Sequence, residues 1–228
     1  MNTKFNVKWK YICLILIFLL IVLLLISALV SKQKSRNYWS YNIGNTVLFG
    51  EFEQDNNVQN GKENIEWIII DESDGKVLLL SKNCLYARTS KNNKSGWKAS
   101  ALREWLNNSF YKKTFDNYEK NLIINTSSIC YAKELHDRVF ILSSEELEKY
   151  AHIYHVQETI PTQYVLNNFK DNLNFAAENC ETWLRNDNDF GYVEDFDEIY
   201  YGGYTCGTSS GEVAGVRPAI WVDANRLN

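Results

Sequence analysis

The 228-residue sequence predicts an α+β fold: one transmembrane helix followed by a single compact mixed domain. Three observations carry this. Residues 11–30, YICLILIFLLIVLLLISALV, run without a charge or a proline, and at 1.5 Å per residue such a helix spans roughly 30 Å, the thickness of a bilayer's hydrocarbon core. IEWIIIDESDGKVLLLSK joins two apolar runs through Asp74-Gly75, a strong short-range hairpin signal. Downstream, capping patterns open segments with apolar residues at helical spacing.

The elements follow in chain order. Residues 1–10 form a basic tail with Lys4, Lys8 and Lys10, residues 11–30 a signal-anchor, and residues 31–42 a short polar linker. The anchor is too long for a cleavable signal peptide and lacks a good cleavage site. Lysines and arginines balance on its two sides, so the positive-inside rule does not orient it; the short tail favours a C-terminal domain outside the cytoplasm. Lipid around residues 11–30 is then one expected partner, and a bacterial cell membrane the expected location.

Residues 43–228 form the domain. Gly44–Phe52 reads as a first strand, and Ile65–Asp71 with Lys76–Lys82 as the hairpin. Ser100 caps a helix carrying Leu102, Trp105 and Leu106, which Asn107-Asn108 ends. Asp116 and Glu119 make a capping box, as do Ser143 and Glu146, the latter opening a helix to about His155. Arg138–Leu142 reads as a strand, and Thr159-Ile160-Pro161-Thr162 starts a short helix that runs through Phe169. The final fifty residues are strand-like again, with Arg217-Pro218 interrupting the last strand. Proline has no N–H for a ladder, and the arginine beside it is expected to turn inward onto a carboxylate or onto backbone carbonyls.

Charge excludes one class of function. All 28 acidic residues lie within residues 37–228, against 18 lysines and arginines there, which leaves that stretch at a formal −10. A nucleic-acid surface needs a basic stripe, so no nucleic acid is expected as partner. Among the five cysteines there is no CxxC, which argues against a zinc ribbon. Cys180 and Cys206 bracket one loop and are the first choice for a disulfide, with free buried thiols as the alternative. His152 and His155 could share a metal with Glu158 if they sit on one helical face, but two histidines on an exposed turn are more often solvated. No metal or cofactor is expected. The acidic stretch 186–198 leaves a weak opening for calcium but fails the EF-hand pattern.

The best ligand-binding candidates are Tyr192, Phe196, Tyr200, Tyr201 and Tyr204, interleaved with Asp195 and Asp197. Tyrosine faces beside carboxylates and mobile glycines suit a sugar ring or a peptide.

Several segments together resemble one bacterial family, the domain of unknown function numbered 6273. They are IEWIIID…GKVLLLSK, Ser100–Asn107 (S-x-L-R-x-W-L-N), DRVFILSSEE at 137–146, Thr182-Trp183-Leu184-Arg185, and Gly215-Val216-Arg217-Pro218-Ala219. The resemblance covers about residues 43–223; Asn186 departs from it where the family usually has serine. The W-L-R and G-V-R-P segments are also similar to the C-type-lectin-like fold of the formylglycine-generating enzymes. That likeness implies a structural role for Trp183, Arg185 and Arg217, and does not carry function with it. The expected function is a membrane-anchored, non-catalytic binding module for a cell-surface glycan or peptide. The alternatives are a cell-envelope enzyme related to the formylglycine-generating group, with Cys206 inviting the comparison, and a structural subunit of a membrane complex.

Overall fold

A computed structural model of the chain describes residues 11–12, 14–27, 42–89, 97–130, 133–157, 159–169, 180, 182–185, 190–193, 205–207 and 213–226. The chain divides into two compact units, the first containing the N-terminal residues and the second residues 41–226. In the first unit the described residues 11–12 and 14–27 are helical (helix α1). Among the described residues no helix is long and apolar enough to cross a membrane, which corrects the expected transmembrane signal-anchor.

The second unit is α+β. Strands β1 (Thr46–Phe52), β2 (Glu63–Ser73), β3 (Lys76–Ser81), β4 (Tyr86–Thr89), β5 (Thr126–Cys130), β6 (Lys133–Asp137), β7 (Thr182–Arg185), β8 (Phe190–Val193), β9 (Thr205–Gly207), β10 (Val213–Val216) and β11 (Ala219–Asp223) make three sheets. Their orders are β1-β2-β3-β11, β4-β10-β7-β8-β9, and the hairpin β5-β6. The β2–β3 turn places Asp74 at φ 51° and Gly75 at φ 71°, the pair of positive values that a two-residue hairpin turn with the strands' own twist requires. Ile68, Ile69, Val77, Leu79, Ile220 and Val222 are fully buried and form the centre of the first sheet's core.

Arg217-Pro218 lies between β10 and β11, which belong to different sheets. The expected single last strand is therefore two, and Pro218 stands where no ladder N–H is needed. β3 and β4 make the same transfer in the opposite direction alongside: Ser81 N donates to Pro218 O (2.9 Å) and Leu85 N to Val216 O (3.1 Å). The guanidinium of Arg217, 5% exposed, closes this double crossing. Its Nε donates to Ser81 O (2.7 Å), Nη2 to His155 O (2.7 Å) and Nη1 to Val156 O. The acceptors are carbonyls, which a planar five-donor fork can satisfy together.

Helix α2 (Ala101–Trp105) is capped by Ser100 as expected, but it does not stop at Asn107-Asn108. It continues through a π-helical turn, Leu106–Phe110, into α3 (Tyr111–Thr114). Asn107 does not cap; its side chain reaches sideways instead. Nδ2 donates to Arg103 O (3.1 Å) and Val139 O (2.8 Å), and Oδ1 accepts from Arg138 N (2.7 Å) and Val139 N (3.2 Å). Helix α4 (Asn117–Leu122) carries the Asp116/Glu119 capping box. Helix α5 (Ser144–Tyr150) carries the Ser143/Glu146 box but ends at Tyr150, short of His155. Helix α6 spans Gln163–Phe169. Arg138–Leu142 is not a strand: only Phe140 makes a bridge, to Ala219, and β6 precedes it.

Cys180 is bonded to Cys84, not to Cys206. Backbone pairing explains why. Cys84 bridges Pro161 and Cys180 N donates to Thr159 O, so one segment, 159–161, brings both cysteines together. Cys206 lies in β9, two strands beyond β7. That is about 9–10 Å at the usual strand spacing, farther than a disulfide reaches.

Candidate functional site

Segment 137–146 runs where the two large sheets meet. Phe140 exchanges backbone hydrogen bonds with Ala219 of β11 (3.0 and 2.7 Å), while Leu142 O accepts from Arg185 N of β7 (2.9 Å). One side of this junction is an open cleft of about 430 Å³, lined by Thr126, Ser127, Asp137, Phe140, Glu146, Arg185 and Trp221. Its size falls in the range of small-molecule sites.

Asp137, 3% exposed, closes one wall. Its Oδ1 accepts from Arg103 Nε (2.7 Å) and its Oδ2 from Trp97 Nε1 (2.9 Å). A buried carboxylate is tolerated because both oxygens are bonded and the charge is paired. The other wall is Arg185, with Nη2 on Glu146 Oε1 and Cζ 5.2 Å from the Phe140 ring centre. Glu146 spends its second oxygen on Ser143 N (2.9 Å), the capping-box bond. Arg185 Nε is shielded from water and has no hydrogen-bond partner. An orphaned buried donor of this kind costs about 1–3 kcal/mol in the free domain.

Three segments read separately in the sequence thus meet here: Arg103 of S-x-L-R-x-W-L-N, the two ends of DRVFILSSEE, and Arg185 of T-W-L-R. Asn107 ties the first two together by gripping residues 138–139 through three side-chain bonds, with a fourth to Arg103 O. Asp137, Phe140, Glu146, Thr126, Ser127 and Trp221 were not candidates from sequence. The signal was present in DRVFILSSEE, but it reads as a strand and a helix cap.

Of the expected ligand residues, Tyr192 belongs to β8, where its backbone pairs with Trp183. Asp195, Phe196, Asp197, Tyr200, Tyr201 and Tyr204 lie outside the described residues, as does most of the 186–198 stretch considered for calcium. Trp183 is buried, and its indole donates to Arg88 O (2.9 Å). His152 and His155 lie beyond the end of α5, and His155 adopts φ 65°. The shared helical face that a metal site there required is absent. Elsewhere, carboxylate oxygens of Glu53, Asp55 and Glu63 come within 4.8 Å of one another. Hydrogen bonds from Gln54 N, Asn57 N and Asn60 Nδ2 already occupy all three residues.

No curated protein and no solved structure matches this chain, so the expected likeness to C-type-lectin-like and formylglycine-generating folds is not shown. Residues 74–224, well over half of the chain, match the family described as "Domain of unknown function (DUF6273)", and the chain belongs to that family.

Proposed function

We propose that residues 42–226 form a non-catalytic binding module whose ligand is a saccharide held in the Arg185 cleft. The observation that carries this is the state of the cleft's ionisable groups. Asp137 and Glu146 each have both oxygens engaged by fixed donors. Neither is free to take a proton from a substrate, which a general base must do within hydrogen-bond reach. Among the described residues no histidine lines the cleft. What remains is a binding surface: Trp221 offers an apolar ring, and Thr126 and Ser127 offer hydroxyls that can donate or accept. An apolar ring with a few convergent polar groups suits the alternating C–H and O–H faces of a sugar.

The Cys84–Cys180 disulfide supports placing the module in an oxidising compartment, outside the cytoplasm. The test is ligand-observed NMR of the full-length chain against a panel of neutral sugars, acidic sugars and short peptides, repeated with Trp221→Leu. Sugar binding that weakens in the variant is expected. Binding of peptides alone, or binding indifferent to Trp221, overturns the saccharide reading.

A further inference from the structure

We infer that the saccharide carries a carboxylate, a uronic-acid group, and that Arg185 receives it; this rests on the binding reading above. The argument is an inventory of hydrogen-bonding capacity. Every carboxylate oxygen in the cleft is already used: Asp137 by Arg103 and Trp97, Glu146 by Arg185 and the Ser143 backbone. Arg185 is the reverse case. Of its five N–H donors, Nη2 reaches Glu146, while Nε is enclosed without any acceptor. The surplus is a donor on a cation, and a donor surplus selects a ligand that brings lone pairs. A carboxylate is the group whose two oxygens match two parallel N–H bonds of a guanidinium.

The guanidinium is held for this. The Phe140 ring packs against it at 5.2 Å, and Arg185 N is fixed to Leu142 O (2.9 Å). Its partner is the more exposed of the two, the Glu146 side chain being 32% exposed against 15% for Arg185. A ligand carboxylate can therefore share the guanidinium with Glu146. The −10 charge of residues 37–228 opposes an anion only at long range. Such repulsion is screened beyond a Debye length of about 8 Å at physiological salt, whereas the Arg185 contact acts at hydrogen-bond distance.

The experiment titrates the full-length chain with glucuronic acid, glucuronamide and glucose, read by ligand-observed NMR and calorimetry. Glucuronate is expected to bind at least about tenfold more tightly than the other two, the equivalent of one charge-assisted hydrogen bond. Glu146→Gln removes the competing charge yet keeps the capping bond to Ser143 N, because glutamine serves in the same box. It is expected to tighten glucuronate several-fold. Arg185→Gln is expected to erase the preference. Should that variant fail to fold, the Glu146→Gln result decides alone. Equal binding of glucose and glucuronate, or weaker glucuronate binding in Glu146→Gln, overturns the carboxylate assignment and leaves saccharide binding standing. Binding of none of the three sugars, neutral or acidic, overturns both.

Discussion

Arg217 carries a positive charge into the core and meets carbonyl oxygens there. Burial pushes its pKa down to about 9, still above neutrality, so the side chain is charged at pH 7 and its charge is spread over three peptide dipoles. Arg217→Ala leaves those carbonyls in a water-poor interior. The expected loss is about 2–4 kcal/mol, read as a lower urea midpoint; Arg217→Lys, with a point charge in place of a fork, is expected to recover only part. An unchanged midpoint in the alanine variant would show that the crossing holds without the side chain. Asn107 is the second residue of this kind. Asn107→Asp keeps the two acceptor bonds to residues 138–139 but loses the donors to Arg103 O and Val139 O. A loss of about 1–3 kcal/mol is expected, together with weaker ligand binding, since the gripped segment forms the cleft wall.

At the scale of elements, α5 is fastened at both ends. Its start is the Ser143/Glu146 box, which also positions the Glu146 oxygen facing Arg185. Its end is a clasp on β2, in which Tyr150 OH donates to Asp71 Oδ2 and Lys149 Nζ lies 2.9 Å from the same oxygen. Burial alone would raise the Asp71 carboxyl, but the bonds from Tyr150 and Lys149 outweigh it and hold the carboxyl below its ordinary 3.8. Burial and then the Asp71 bond push the Tyr150 phenol up to about 12. The depressed carboxyl stabilises the fold above pH 3.8 and loses that contribution as pH falls through its lower folded value. The raised phenol contributes fully below pH 10 and loses its contribution as pH rises from 10 towards 12. Tyr150→Phe is expected to cost about 1 kcal/mol at pH 7 and to flatten the alkaline limb of stability against pH, measured by urea unfolding from pH 7 to 11. A limb as steep as in the parent would place its origin elsewhere. The bulge of β1 makes a separate demand. Gly50 sits at φ 69°, and a Cβ there would lie 2.7 Å from the Phe115 ring. Gly50→Ala combines backbone strain with overpacking and is expected to cost about 2–4 kcal/mol.

Across the whole domain, the two sheets are joined by the paired crossings β3–β4 and β10–β11, by segment 137–146, and by the Cys84–Cys180 bond. That bond spans 96 positions, and closing a loop of this length is worth about 4–5 kcal/mol in the chain-entropy account. Reductant is therefore expected to lower the thermal midpoint of the parent chain substantially. A Cys84→Ala/Cys180→Ala variant should start from the lower midpoint and be indifferent to reductant. Equal midpoints for parent and variant without reductant would show that the bond contributes nothing to stability.

The sequence by itself determined what short range controls. The Asp74-Gly75 hairpin, the caps at Ser100, Asp116 and Ser143, and the apolar runs that bury β2 and β3 were legible because turn chemistry and apolar patterning act within a few residues. The family resemblance was legible for the same reason, as runs of neighbouring residues. Tertiary structure decided everything that depends on a partner far along the chain. Asn107 reads as a helix stop until residues 138–139 arrive to occupy its side chain, after which the helix runs on through a π turn. Cys180 has three candidate partners until the 159–161 segment places Cys84 beside it. The Arg185 cleft could not be read at all, because its walls come from positions as distant as 126, 146, 185 and 221. A hydrogen-bond surplus at one nitrogen exists only once every neighbour has been placed.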